Sequence, residues 1–182
     1  MRALPIAVTA LAAALTLTLT ACEDDGSGDG DKEPTKSAAP ADSTACKADQ
    51  LGRQVAANEA PAAGDTGNVS VTLTNRSGAD CTLEGFAGVD LYAGGTSRTV
   101  PAEEGAQPEK LTVKPDETAS FTITYVRGPA GDTENSAAVK TVKFSLPGAG
   151  DDLSFAWEYG EVALRSESEP DASVSPFQRA GD

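Results

Sequence analysis

The three cysteines are the residues of this chain best suited to covalent chemistry. They are Cys22, Cys46 and Cys81, and the 182-residue sequence contains no histidine. Without histidine, the chain cannot assemble a Ser-His-Asp triad or a Cys-His pair for nucleophilic catalysis. The common zinc sites are excluded for the same reason. The cysteines are therefore expected to act as attachment points or cross-links, and no metal and no cofactor is expected.

Cys22 follows a segment with the features of an export signal. Arg2 gives a positive start and residues 4–21 carry no charge, which is typical of a cleavable signal peptide. Leu19–Cys22 resembles the lipobox of bacterial lipoproteins, which implies cleavage after residue 21 and a diacylglyceryl group on the Cys22 sulfur. Two acyl chains anchor a protein stably, so we expect attachment to the cell membrane, facing outside the cytoplasm. An uncleaved transmembrane helix is the alternative, but Pro5 and four threonines interrupt the run.

Residues 23–45 contain no bulky apolar side chain, and such a composition predicts a disordered tether. The predicted organisation is a lipoprotein signal peptide at 1–21, the lipidated cysteine with an acidic linker at 22–45, and one domain at 46–179.

Within the linker, Asp25–Gly30 resembles the first half of a calcium-binding loop. Lys36 stands where that loop requires a bidentate glutamate, so no specific calcium site is expected.

Acidic residues dominate the composition, with 28 Asp and Glu against 14 Lys and Arg. This charge repels phosphate backbones and argues against nucleic-acid binding. The adjacent pairs Glu103–Glu104 and Asp151–Asp152 are the most conspicuous carboxylates. Neighbours on a strand point to opposite faces, so both pairs are interpreted as solvated charge. We predict no catalytic residue and expect that the protein is not an enzyme.

Cys46 and Cys81 form an even pair in an oxidising compartment, for which a disulfide is the simplest interpretation. Two free thiols or a metal site are the alternatives, although a zinc site requires four ligands. A disulfide would fasten the first segment of the domain to its middle.

Apolar residues from Cys46 onward recur with a period of two, which predicts half-buried antiparallel strands. Gly94 and Gly95 predict a hairpin between two such segments. Roughly seven to nine short strands predict an all-β, two-sheet antiparallel sandwich. The clearest alternating segments are Val69–Leu73, Ala119–Tyr125, Val142–Leu146 and Leu153–Tyr159.

Three other segments are less regular. Residues 47–57 fit either a helical turn or an extended segment, because Leu51 and Val55 are four residues apart. Residues 128–138 are interpreted as a long polar loop. Val174–Phe177 is expected to add a last edge strand, where proline is tolerated.

The aromatic row Phe155, Trp157 and Tyr159 has two interpretations. An exposed row could stack on sugar rings. A row on one strand face beside Leu153 is more typical of a hydrophobic core, where a central-strand tryptophan commonly packs against the sandwich disulfide. We therefore predict that these rings are core residues.

Several of these segments together resemble the secreted actinobacterial family called domain of unknown function 4232. The resemblance covers residues 46–178 and implies an immunoglobulin-like sandwich, often on lipoproteins, with no assigned activity. Ala87 stands where the family commonly has proline, and a second cysteine pair is missing. The resemblance is carried by Val71–Asn75, Cys81–Val89, Leu111–Ala119 and Ser175–Phe177.

The leading hypothesis is a monomeric, non-catalytic module on a lipid tether that binds a protein or an envelope polymer. Loops on a rigid scaffold commonly carry binding, and Gly85–Gly88 and residues 128–138 are the candidate segments. One alternative is a carboxylate-dependent hydrolase of envelope polysaccharide, which needs two carboxylates about 5–10 Å apart in a cleft. Another is a spacer or metal-buffering surface protein, suggested by the acidic linker.

Overall fold

The computed structural model describes residues 44–180, and this part of the chain is all-β. Cys22, the signal segment and nearly all of the linker, including Asp25–Gly30, lie outside the described residues. One 3₁₀ turn, Ala48–Gln50, precedes the first strand. The strands are β1 Leu51–Asn58, β2 Thr66–Asn75, β3 Cys81–Glu84, β4 Gly88–Ala93, β5 Thr96–Val100, β6 Lys110–Val113, β7 Thr118–Val126, β8 Ser136–Ala137, β9 Thr141–Ser145, β10 Leu153–Ala156, β11 Val162–Ser166, β12 Glu169–Pro170, β13 Ala172–Val174 and β14 Gln178–Arg179.

Two sheets form the sandwich, and all the paired strands are antiparallel. The first sheet has the order β1-β2-β7-β13, with β14 also pairing with β7, and the second has the order β10-β9-β4-β5. Two smaller ladders, β3-β6 and β12-β11-β8, complete the fold. The predicted immunoglobulin-like antiparallel sandwich is confirmed, as is the hairpin at Gly94 and Gly95.

Alternating burial along the strands builds the core between the two sheets. In β7 the inward side chains are at most 1% exposed, and their neighbours along the strand are half-buried. The Phe121 ring lies edge-on to Phe144 of the second sheet, with centroids 5.3 Å apart, and to Phe177, at 5.7 Å. The segment after β13 therefore contributes Phe177 to the same core.

Residues 47–57 are mainly strand, because β1 pairs with β2 along its whole length, from Leu51 with Asn75 to Asn58 with Asn68. Only residues 48–50 form a helical turn. The expected strand number was too low: residues 44–180 contain fourteen strands. Four of these have two or three residues, too few to show a period of two.

The segment 128–138 is not simply a polar loop. It contains β8, and both residues of that strand, Ser136 and Ala137, are buried. The expected edge strand near the end of the domain is present as β13, but it ends at Val174. Pro176 follows as an isolated bridge to Phe86.

The predicted disulfide between Cys46 and Cys81 is confirmed, with the two Cα atoms 4.8 Å apart. Thr44 and Ala45, which the sequence assigns to the linker, already contact β3. The Thr82 N–H donates to the Thr44 carbonyl (2.7 Å), and Ala45 forms a bridge with Thr82. The described chain thus enters the domain beside the disulfide.

Antiparallel register separates the two ends of the sandwich. β2 begins at Thr66, opposite Val126, and ends at Asn75, whose side-chain amide reaches the Val113 carbonyl (2.9 Å) opposite Cys81. We call residues 44–50, 76–81 and 114–117 the disulfide end. Residues 59–65, 127–135 and 157–161 form the loop end, at the other end of β2 and β7.

Candidate functional site

Three aromatic rings pack together at the loop end. Trp157 is 4% exposed, and its ring lies edge-on to those of Tyr125 (4.9 Å between centroids) and Tyr159 (5.0 Å). Phe155 packs against the core beside Phe144. The core assignment is confirmed, with Phe155 and Tyr159 partly buried at its margin.

The detailed position of Trp157 differs from the prediction. β10 ends at Ala156 and lies at the edge of its sheet, so Trp157 is neither within a strand nor central. Its indole N–H donates to the Gly160 carbonyl at 2.7 Å, which holds residues 157–160 together beyond the strand. The tryptophan therefore packs on tyrosines at the loop end and not on the disulfide at the opposite end.

The Tyr125 hydroxyl connects two loops. It donates to the Tyr159 carbonyl (2.9 Å) and accepts a hydrogen bond from the Ala60 N–H (3.3 Å). Its ring lies over Gly67, the cross-strand partner on β2. A Cβ at Gly67 would lie 2.6 Å from a ring carbon, so glycine is required for this ring position.

Arg127, two residues after Tyr125, contacts the same loops. Its side chain donates to the Ala60 carbonyl at 2.7 Å, and its backbone exchanges hydrogen bonds with Gly64 (2.8 Å) and Asp65 (2.9 Å). A Cβ at Gly160, where φ is +84°, would lie 2.9 Å from the Arg127 Nε. These contacts connect the 59–65, 127–135 and 157–161 segments to one another.

Two carboxylates fix the 127–135 segment. Glu161 accepts hydrogen bonds from the Gly131 N–H (3.0 Å) and the Ser136 hydroxyl (2.7 Å), and these contacts, with Lys140 nearby, lower its pKa. Asp132 accepts from the Asn135 side chain at 2.9 Å, which is the main cause of its own lowered pKa. Grooves of about 430 Å³ and 220 Å³ flank Glu161.

The Glu161 contacts predict a local response to acid. Because its folded-state pKa lies below the ordinary value of 4.5, the stabilisation is present above that value and is lost as pH falls through the lowered pKa. The Gly131 amide resonance is expected to titrate with a midpoint below 4.5, and Glu161→Gln is expected to remove the Glu161 component and leave only that of the neighbouring Asp132. A midpoint at or above 4.5 would contradict the assignment.

Of the two candidate binding segments, only 128–138 belongs to the loop end. Gly88 pairs with Ser145, at the end of β9 away from the loop end. The Phe177 N–H donates to the Gly85 carbonyl (3.1 Å), and Ala87, at the position where the family commonly has proline, is 3% exposed. Gly85–Gly88 is therefore packed against the C-terminal segment.

Several carboxylate side chains line a separate groove of about 320 Å³. Glu103 and Glu104 both line this groove. They lie outside the strands, so the expected alternation of neighbouring side chains between opposite faces of a strand does not apply to them. Arg165 lies among these acids: its Nε donates to Asp171 (2.9 Å), which is the main cause of its raised pKa, and its Nη1 is 3.7 Å from Glu169. Asp151 and Asp152 are exposed elsewhere.

Residues 44–180 contain neither a cluster of metal-ligating side chains nor a membrane-spanning helix. There, His, Cys, Asp and Glu side chains do not converge in threes as a metal site requires. The same part of the chain has no helix of the length and apolarity that a membrane crossing needs.

The sequence reasoning missed most of the loop-end residues. Tyr125 is recognisable only as one apolar position in an alternating strand, and Arg127 and Glu161 stand in no motif. Their partners are mainly backbone groups of distant loops. These partners become apparent only once β2 and β7 are in register.

Fold and site together define a disulfide-linked antiparallel β-sandwich domain with an ordered loop end. The chain belongs to the family described as Domain of unknown function (DUF4232), whose model matches residues 46–178. This match confirms the family resemblance found in the sequence. Searches of curated proteins and of solved structures gave no match.

Proposed function

We propose that the chain is an exported actinobacterial lipoprotein whose β-sandwich is a non-catalytic binding module. In this proposal residues 1–21 are removed, and Cys22 carries a diacylglyceryl group on the outer side of the cell membrane. The observation that carries the proposal is the sequence Leu19–Cys22 after an uncharged run.

The cysteine pairing supports the proposal. Cys46 and Cys81 are joined to each other, so Cys22 is the one cysteine of the three left for a lipid. The described chain enters the domain at the disulfide end. A tether from Cys22 would therefore join the domain at the end opposite the loop end.

Replacing the lipid-bearing cysteine tests the anchoring. The full chain, expressed in a bacterium that processes lipoproteins, is expected in the membrane fraction, with an intact mass that begins at Cys22 and includes acyl chains. Cys22→Ser is expected to lose the acyl mass and leave the membrane fraction. Ser27→Ala is the matched control, because it changes a small side chain in the same predicted linker and leaves both the lipid site and the disulfide intact.

Retention of residues 1–21 with an unmodified Cys22 would refute the proposal. The groove beside Glu103 and Glu104 is one that the hydrolase alternative could use, because two carboxylates line it. We expect the chain to release no reducing ends from cell-envelope polysaccharide. Release that is lost on Glu103→Gln or Glu104→Gln would instead establish the alternative.

A further inference from the structure

The outer face of the first sheet is built from uncharged polar side chains. The inward positions of β2 and β7 are buried and, apart from Asn75 at the end of β2, carry no charged or amide side chain, so the alternate positions face outward. Cross-strand pairing aligns the outward residues in rows that run across the sheet. The rows are Gln54, Thr72, Ser120 and Gln178, then Ala56, Ser70 and Thr122, then Asn58, Asn68, Thr124 and Ser173.

These rows contain no charged residue, although 23% of the chain is charged. Arg53, on the edge strand β1, does not join them, since its side chain donates to the Ser154 carbonyl of the second sheet. Arg76, which lies over Gly52, borders the rows at the disulfide end. The charge-free area thus covers most of the face and has a charge only at its margin.

The polar groups on this face are regularly spaced. β2 and β7 pair over nine residues without a bulge, from Thr66 with Val126 to Thr74 with Thr118. Adjacent strands are about 4.8 Å apart, and alternate residues along a strand are about 7 Å apart. Hydroxyl and amide groups at such intervals each offer donors and acceptors. One pair already bonds across the strands, since the Thr124 hydroxyl donates to Asn68 at 2.9 Å.

The composition of the face restricts what it can bind. The rows contain neither the aromatic nor the arginine residues that anchor protein interfaces, and no ring on which a sugar could stack, so a ligand of this face would be held through hydrogen bonds. Nucleic acids and anionic lipid surfaces require basic groups, which are also missing from the rows. An uncharged, hydroxyl-rich polymer has donors and acceptors like those of the face and is not repelled by the acidic domain.

We propose that this face binds an uncharged polysaccharide. The inference rests on the proposed binding function and names its ligand class and surface. Hydrogen bonds exchanged with water give a small net gain each, so a single domain binds weakly. Many copies held on one membrane would bind a polymer far more tightly through multivalency.

Retention on insoluble polymers tests the proposal. Because a single domain binds weakly, the full chain carrying Cys22→Ser is mixed, over a concentration series up to its solubility limit, with suspensions of cellulose, chitin and starch, and with an alginate gel as the anionic comparison. Retention on at least one uncharged polymer is expected, unaffected by high salt, and none on alginate. Thr72→Glu is expected to abolish retention, whereas Thr141→Glu, on the outer face of the second sheet, is the matched control and should be retained.

Thr72→Val is a second variant for the case in which Thr72→Glu fails to fold. It removes the hydroxyl and keeps a β-branched side chain, so the strand should be preserved. It should lower retention about fivefold, the loss expected for one hydrogen bond. Equal retention of Thr72→Glu and Thr141→Glu overturns the surface. No retention on any uncharged polymer, or retention that follows self-association of the chain in sedimentation, overturns the ligand class. A lipidated chain that fails only these assays leaves the proposed function standing.

Discussion

Phe121→Ala is expected to lower the free energy of unfolding by about 3–5 kcal/mol, as large-to-small changes at buried aromatic positions do. Phe121 is 0% exposed and packs against both Phe144 and Phe177. The substitution therefore leaves a cavity between the two sheets, where neither can collapse without moving the other. Urea unfolding of the Cys22→Ser chain, followed by tryptophan fluorescence, measures the change.

Phe155→Ala is the matched control for this prediction. Phe155 lies on the edge strand β10 and is only partly buried, so its loss should cost about 1–2 kcal/mol. Because small domains are stable by about 5–15 kcal/mol, the two variants should have clearly different urea midpoints. Equal losses would show that the core is not centred on Phe121.

Removing the disulfide is expected to cost about 3–4 kcal/mol in the chain-entropy model, given the sequence separation of 35 residues between Cys46 and Cys81. Alanine is the better replacement, because Cys46 is 0% exposed and a serine hydroxyl there would be buried. Thermal unfolding of the Cys46→Ala, Cys81→Ala double variant, in the Cys22→Ser background, measures the loss.

Reduction supplies the control for this experiment. A thiol reductant should destabilise the chain that keeps Cys46 and Cys81 by a similar amount and leave the double variant unchanged. Any effect of the reductant on the double variant would mean that the loss does not arise from the disulfide.

The features predicted correctly from the sequence are those that depend on local pattern. The alternation along Ala119–Tyr125 identifies a strand and its buried face, and Gly94 and Gly95 identify a hairpin. The disulfide follows from counting once Cys22 is assigned to the lipid. Each of these inferences needs only neighbouring residues or composition, and the structure confirms the strand, the hairpin and the disulfide.

The features that could not be predicted depend on distant partners. Asn75 reads as a turn residue, yet it is fully buried and its side-chain amide donates to Ala79 (2.8 Å) and Val113 (2.9 Å). β8 is too short to show a period, and it exists because Ser136 and Ala137 meet β11. The neutral rows of the first sheet likewise require the register of five strands.

The route by which the chain enters the domain determines how the domain would respond to mechanical load. A pull applied from the N-terminal side reaches Cys46 and passes through the covalent bridge to Cys81. Residues 47–80, which include β1 and β2, therefore lie in a loop that carries no tension while the bridge is intact. The load falls instead on β3 and its partner β6, so β1 and β2 would keep their mutual register under stretching.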